Sequence, residues 1–430
     1  MKSTTDKAPT FRLWLMMVLE FAIWGAWLPL IWGFMGAKVD DGGLGFTGSQ
    51  IAWVGSAFAI ASIVGVLFSS QFADRTFAAE KFMAASHLIG GLAILGMYWA
   101  TGFVTFFGLM LVHALFYVPT ISVSNSLAFA HMKDAQKEFG IVRMGGTIGW
   151  ILVAWPLYFI LEGKSGAEAV AASRTIFLIA GGLSLALAAY SLFLPHTPPK
   201  PATEGDGGFA WIKAARFLAK PYLAVLFAVT FIDAVIHNGY FVMAGDFLKS
   251  ASVGLEPKWI MPVMSIGQVA EIATMAVLGA VLARLGWKTT MILGILGHAA
   301  RFGVFALMPQ NQAVIVAVQV LHGICYAFFF ATLYIFIDAA FPKDVRSSAQ
   351  SLFNLLVLGL GDLAAKWLFI PLQASLTQDG VTDYRRLFFV PSALALGAAV
   401  VLLVAFWPPR GLATASETED DLETEPSVAL

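Results

Sequence analysis

Arg143, Thr147 and Trp150 stand at i, i+4 and i+7 of one apolar run, so in a helix a cation, a hydroxyl and an aromatic face share a stripe. Such a stripe can hydrogen-bond a hydroxylated ring and stack on it. The alternative is that Arg143 snorkels to water from the helix end while Trp150 packs on a neighbour. Gly145, Gly146 and Gly149 on the same run let another backbone come close. In a later run Gln268 and Glu271, three apart, again share a face. The amide both donates and accepts, and the carboxyl accepts from hydroxyls or carries a proton; an interhelical bond that holds the bundle together is the plainer use of such a pair. His322 and Tyr326, four apart, make a third polar and aromatic face, where a satisfied core histidine is the alternative. Asn238 and Phe241 complete the set of binding candidates.

Several other ionisable groups lie within apolar runs, where each costs at least ~2.5–3.5 kcal/mol on membrane-insertion scales and so needs a reason to be there. Glu20 precedes Trp24-Gly25-Ala26-Trp27 and must be protonated or face water; it ranks beside Glu271 as a proton-carrying candidate, with Asp233 third. Asp362 and Lys366, four apart, read as an ion pair on one helix. Arg301, near His298, reads as a helix-packing residue without a nameable partner.

The elements that must position these groups follow from composition. Hydrophobic residues make up 59% of the 430 and charged ones 12%, against ~45–50% and ~25% in soluble proteins, and the mean hydropathy is +0.78. The charge is too sparse to cover a water-facing surface, so the chain is read as an all-α integral membrane protein. Apolar segments recur at 13–36, 49–72, 82–100, 104–130, 141–161 and 174–195, then at 221–243, 259–283, 287–308, 312–340, 348–373 and 387–407. That is twelve transmembrane helices. A break at 196–220, with Pro198, Pro199, Pro201 and three glycines before Trp211-Ile212-Lys213, reads as a polar cytoplasmic linker with a short amphipathic helix. It divides an N-terminal six-helix half (1–195) from a C-terminal one (221–412), and an acidic tail (413–430) reads as disordered.

Sixteen of the 26 Lys and Arg fall on the side of the chain's two ends, seven on the other, and Arg143, Arg301 and Lys366 lie within spans. Positive charge stays inside, so both termini are expected in the cytoplasm. The first apolar stretch is longer than the ~7–15-residue core of a signal peptide and reads as a retained helix. The net charge of −1 points to no nucleic acid, and the single Cys325 can form no internal disulfide. No His-Glu-x-x-His, paired cysteine, Gly-x-Ser-x-Gly or phosphate-loop pattern is present, so neither an enzyme, a metal nor a cofactor is expected.

Short basic loops follow the second and eighth spans, Ala73-Asp74-Arg75 with Lys81, and Ala283-Arg284-Leu285-Gly286-Trp287-Lys288. This six-plus-six pattern resembles the major facilitator superfamily. More closely, the chain resembles that superfamily's nucleoside:proton symporters, the bacterial nucleoside permeases. The resemblance rests on Glu20 to Leu28, Tyr117-Val118-Pro119-Thr120 with Asn125-Ser126, Val142 to Gly149, Met264 to Glu271, Arg301-Phe302 and Val345 to Gln350, in that order.

The resemblance implies import of a nucleoside with protons by alternating access, two halves rocking about a midplane site. Arg143, Thr147 and Trp150 would serve it from the N-terminal half, Gln268 and Glu271 from the other. Where the family offers glutamine and asparagine on the seventh span, Asn238 and Phe241 stand here. Where it offers tyrosine, phenylalanine and aspartate on the tenth, His322, Tyr326 and Ala327 stand. Glu20 replaces a glutamine. These departures leave open another solute, such as a nucleobase or sugar, on the same fold; a non-transporting sensor is the more distant alternative. A monomer in a bacterial-type inner membrane is expected.

Overall fold

A computed structural model describes residues 8–132, 135–199, 215–342 and 346–409. The N-terminal half holds α1 (Ala8–Gly36), α2 (Gly48–Thr76), α3 (Ala79–Gly96), α4 (Phe103–His131), α5 (Ala135–Leu152, carried on by Ala154–Leu161) and α6 (Ile176–Ser191). α7 is Pro221–Lys249. The 48-residue run Ile260–Leu307 is two helices, α8 and α9, because Gly286 between them sits at φ 70°, a left-handed conformation that favours glycine. α10 spans Gln312–Ala340 and includes a π-helical turn, Tyr326–Ala331. α11 runs through Arg346–Asn354, a second π turn at Leu355–Leu360, and Gly361–Ser375. A two-residue hairpin, Thr377–Gln378 with Val381–Thr382, leads to α12 (Tyr384–Ala405).

Ten stretches among the described residues are long and apolar enough to cross a membrane, and one of them, Pro257–Leu307, contains both α8 and α9. α3, with Glu80 and Lys81 in its first turn, completes the expected twelve. Boundaries moved where polar residues found partners. α7 continues past the expected 243 to Lys249, since Asp246 and Lys249 pair one turn apart at 2.8 Å. The expected sixth span, 174–195, is α6 (Ile176–Ser191), and a separate short helix, Gly166–Ser173, precedes it. The Trp211-Ile212-Lys213 segment and the acidic tail lie outside the described residues.

Small residues set the close crossings. A side chain at Gly149 would run into the Val18 carbonyl, and one at Gly145 would lie 2.6 Å from the Trp14 carbonyl, so α5 packs directly on α1. Likewise Gly323 of α10 sits against the backbone of Ala270 and Glu271 on α8. Between the halves, Gly245 of α7 meets the Pro29 carbonyl of α1. The indole of Trp367 on α11 donates to Ser56 Oγ on α2 at 3.0 Å, and Trp53 meets the same ring edge-on at 5.4 Å. These contacts close the seam on the side away from the chain's first residues.

Candidate functional site

A cavity of about 1010 Å³ lies between the halves. All nine binding candidates line it: Arg143, Thr147 and Trp150 from α5, Asn238 and Phe241 from α7, Gln268 and Glu271 from α8, His322 and Tyr326 from α10. Residues as far apart in the chain as Arg143 and Tyr326 thus converge on one space. The walls reach Ala130 near the end of α4 and Gln350 near the start of α11, so the cavity extends toward the side where α1 begins.

Aromatic rings form one wall. Trp150 meets Trp24 of α1 edge-on at 5.9 Å and Phe241 of α7 at 5.8 Å, and Phe241 stands perpendicular to the His322 ring at 5.5 Å. The Arg143 guanidinium lies over the Phe21 ring at 4.2 Å, which holds a delocalised cation in place without a carboxylate. Its charge acts on Glu271, and it hydrogen-bonds the Tyr326 hydroxyl of the other half.

The polar groups are not interchangeable. Asn238 donates both amide hydrogens to backbone carbonyls, Ala234 at 2.8 Å and Val357 at 3.0 Å, which leaves its oxygen as the group it can offer a ligand. Gln268 Oε1 is buried with no partner among the described residues and is a ready acceptor. His322 Nδ1 lies 2.7 Å from Arg301 Nη1. Arginine only donates, so Nδ1 accepts and His322 carries its hydrogen on Nε2. A donor is therefore presented on the α10 wall of the cavity.

Two proton candidates lie off the cavity wall. Glu20 is fully buried: its carboxylate is 2.8 Å from His87 Nε2 and accepts from Thr120 Oγ1 at 2.7 Å, and its carbonyl accepts from the Tyr117 hydroxyl at 2.6 Å. Asp233, also fully buried, lies 2.9 Å from His298 Nδ1. Asp362 and Lys366 form the ion pair their spacing predicts, and that pair lines the far end of the cavity. Arg301 has partners that its sequence position did not disclose: besides His322, its guanidinium covers the Tyr240 ring at 4.0 Å.

Sequence reasoning missed His237, Phe330 and the Tyr334–Asn354 hydrogen bond (2.5 Å), all on the wall. His237 stands four residues before Phe241, a spacing that would have found it. The face presented by Phe330 depends on the π turn, whose extra residue shifts the helical register.

The family model for nucleoside H+ symporters matches residues 8–410. The YegT protein of Escherichia coli strain K12 is 31% identical over 359 residues, covering 82% of each chain. The xanthosine permease of the same organism is 28% identical over 414 residues, 92% of this chain and 95% of that one. The crystal structure of the nucleoside transporter NupG superposes with a TM-score of 0.80 at 22% identity, over 94% of this chain and all of that one. That likeness shows the fold, the two six-helix halves of the major facilitator superfamily.

Proposed function

The chain belongs to the nucleoside H+ symporter family, and from that premise we propose that it imports a nucleoside together with protons through the cavity between its halves. The observation that carries this reading is the convergence of the nine side chains on that one space. Ligand pockets are typically ~300–1,000 Å³, so the cavity accommodates a solute and the water through which it leaves.

In this reading Trp150 and Phe241 stack on the base, as aromatic faces do with any nucleobase. Arg143, Thr147, Gln268 and Glu271 bind the ribose hydroxyls and the polar edge of the base, with Asn238 accepting and His322 and Tyr326 donating. Glu271 takes the proton, and Glu20 and Asp233 are its alternates. Both termini are cytoplasmic, which makes this the inward-facing state. Outward access requires the N-terminal half, through about 195, to rock against the half from 221, opening the contacts of α1 with α7 and α2 with α11. The protein acts as a monomer in the inner membrane.

A thermal-shift series on detergent-purified protein tests the substrate class, since a ligand bound to the folded state raises its apparent stability. Uridine or adenosine should shift the transition while free base and ribose should not. No shift with any nucleoside, alongside one with a base or sugar, would transfer the same cavity to that solute, and His322 with Ala327 would be the residues responsible.

A further inference from the structure

The first and third helices of each half carry a buried carboxylate–imidazole pair. Glu20 and His87 on α1 and α3 lie 2.8 Å apart, and Asp233 and His298 on α7 and α9 lie 2.9 Å apart. The fourth helix of each half adds another histidine. His113 Nδ1 donates to the Gly90 carbonyl of α3 at 3.0 Å, and His322 pairs with Arg301 of α9. The halves thus share a polar arrangement, and although His113 Nε2 also lacks a partner among the described residues, they differ in how far the carboxylate–imidazole pair itself is satisfied.

In the N-terminal half the pair is saturated. Ser184 gives its hydroxyl hydrogen to the His87 carbonyl at 2.9 Å. Its oxygen therefore accepts from His87 Nδ1, 3.3 Å away. The bond from Nε2 to Glu20 then holds a second proton, and Thr120 completes the carboxylate. Trp27 and Phe58, which line the cavity, stand in front of this group, with Trp27 6.3 Å from His113 and Phe58 5.8 Å from Tyr117.

In the C-terminal half Asp233 Oδ2, His237 Nδ1 and two nitrogens of Arg301 have no hydrogen-bond partner among the described residues, and His298 Nε2 has only the weakly bonding Cys325 thiol beside it. Asp233, His298 and Arg301 are fully buried and His237 nearly so. Buried polar atoms of this kind are rare and call for an explanation. His237 also links the group to the cavity. Its ring is 5.6 Å from that of His298 and 5.0 Å from that of His322, and His237 and His322 both line the wall.

We propose that Asp233 and His298 form a protonation site of the transport cycle separate from Glu271, filled from the cavity through His237. The inference rests on the proton-coupled reading above and adds a site to it. With His298 neutral, its Nδ1–H is donated to the Asp233 carboxylate and the pair carries one negative charge. A proton passing from cavity water by way of His237 binds Nε2 and leaves an imidazolium–carboxylate pair of zero charge. It departs by the same route, and no other reactant takes part. The ring separations allow transfer by rotation of His237 or through one bridging water.

The charged and titratable groups that face the pair are His237 and Tyr240 on α7, Arg301 on α9, and His322 and Cys325 on α10. Arg301 balances the pair before loading and opposes the added proton after it. His322 holds Arg301 through Nδ1 and meets the cavity through Nε2–H, so a solute drawing on His322 alters the field at His298. This gives binding and proton loading a shared residue.

The test uses the full chain in proteoliposomes, with nucleoside counterflow, accumulation driven by a pH gradient, and protons taken up per nucleoside read from a trapped pH dye. His298→Gln and Asp233→Asn should lose accumulation at least tenfold while exchange persists, with one proton fewer per nucleoside. His87→Gln, the equivalent change in the saturated half, should keep the wild-type count. An unchanged count in folded His298→Gln and Asp233→Asn would overturn the site. So would loss of folded protein with an unchanged count in the fraction that survives. Failure of the wild type to exchange any nucleoside would instead overturn the substrate reading, a result that wild-type counterflow alone identifies.

Discussion

Trp150 of α5 and Phe241 of α7 meet across the seam between the two halves, their ring centroids 5.8 Å apart and their planes at 66°. The contact therefore joins the two halves at the cavity wall itself. Base–aromatic stacking is worth about 1–3 kcal/mol. Trp150→Ala or Phe241→Ala should therefore weaken nucleoside binding roughly 5- to 150-fold by calorimetry. Affinity within twofold of wild type would take stacking out of the account.

Arg143 lies over Phe21 and hydrogen-bonds Tyr326, and its remaining donors can serve a ligand in the cavity. Arg143→Ala should reduce substrate affinity far more than it reduces the yield of folded protein, measured by size-exclusion chromatography beside binding. An equal loss of both would make Arg143 a packing residue.

Glu271→Gln preserves size and removes titration. Accumulation against a gradient should be abolished in this variant, as measured by uptake into vesicles with an imposed pH difference. Accumulation at the wild-type level would remove Glu271 from coupling.

Glu20 has two side-chain partners in a fully buried setting. Removing one member of a buried pair typically costs about 3–5 kcal/mol. Glu20→Ala should thus lower the thermal transition markedly, while Glu20→Gln, which still accepts from Thr120, should lower it less. A Glu20→Gln variant of near-native stability that has lost accumulation would favour the coupling role instead.

The crossing of α1 and α5 depends on Gly149, where any side chain meets the Val18 carbonyl. Gly149→Val should destabilise the protein by about 1–3 kcal/mol or more, since backbone has little room to yield. Unaltered melting would mean the helices separate more easily than their packing suggests.

Much of this protein was legible from its residues alone. Twelve apolar runs of membrane-spanning length determine the helices, because an unpaired backbone is too costly in lipid for anything but helices or closed barrels. The three- and four-residue spacings of Arg143 with Thr147 and Gln268 with Glu271 determine which groups share a face, since local helical geometry needs no tertiary information. The ion pair of Asp362 with Lys366 was visible for the same reason. The structure alone decided what depends on contacts between distant helices. Glu20 and Asp233 look alike in the sequence, as carboxyls in apolar helices. Three-dimensional packing gives Glu20 to His87 and Thr120 behind the aromatic wall, and Asp233 to His298 with one oxygen unpartnered. The hydrogen on His322 Nε2 was likewise unreadable, because it follows from an arginine on another helix. Spacing along a helix fixes a direction, but burial and partnership belong to the neighbours that the fold brings in.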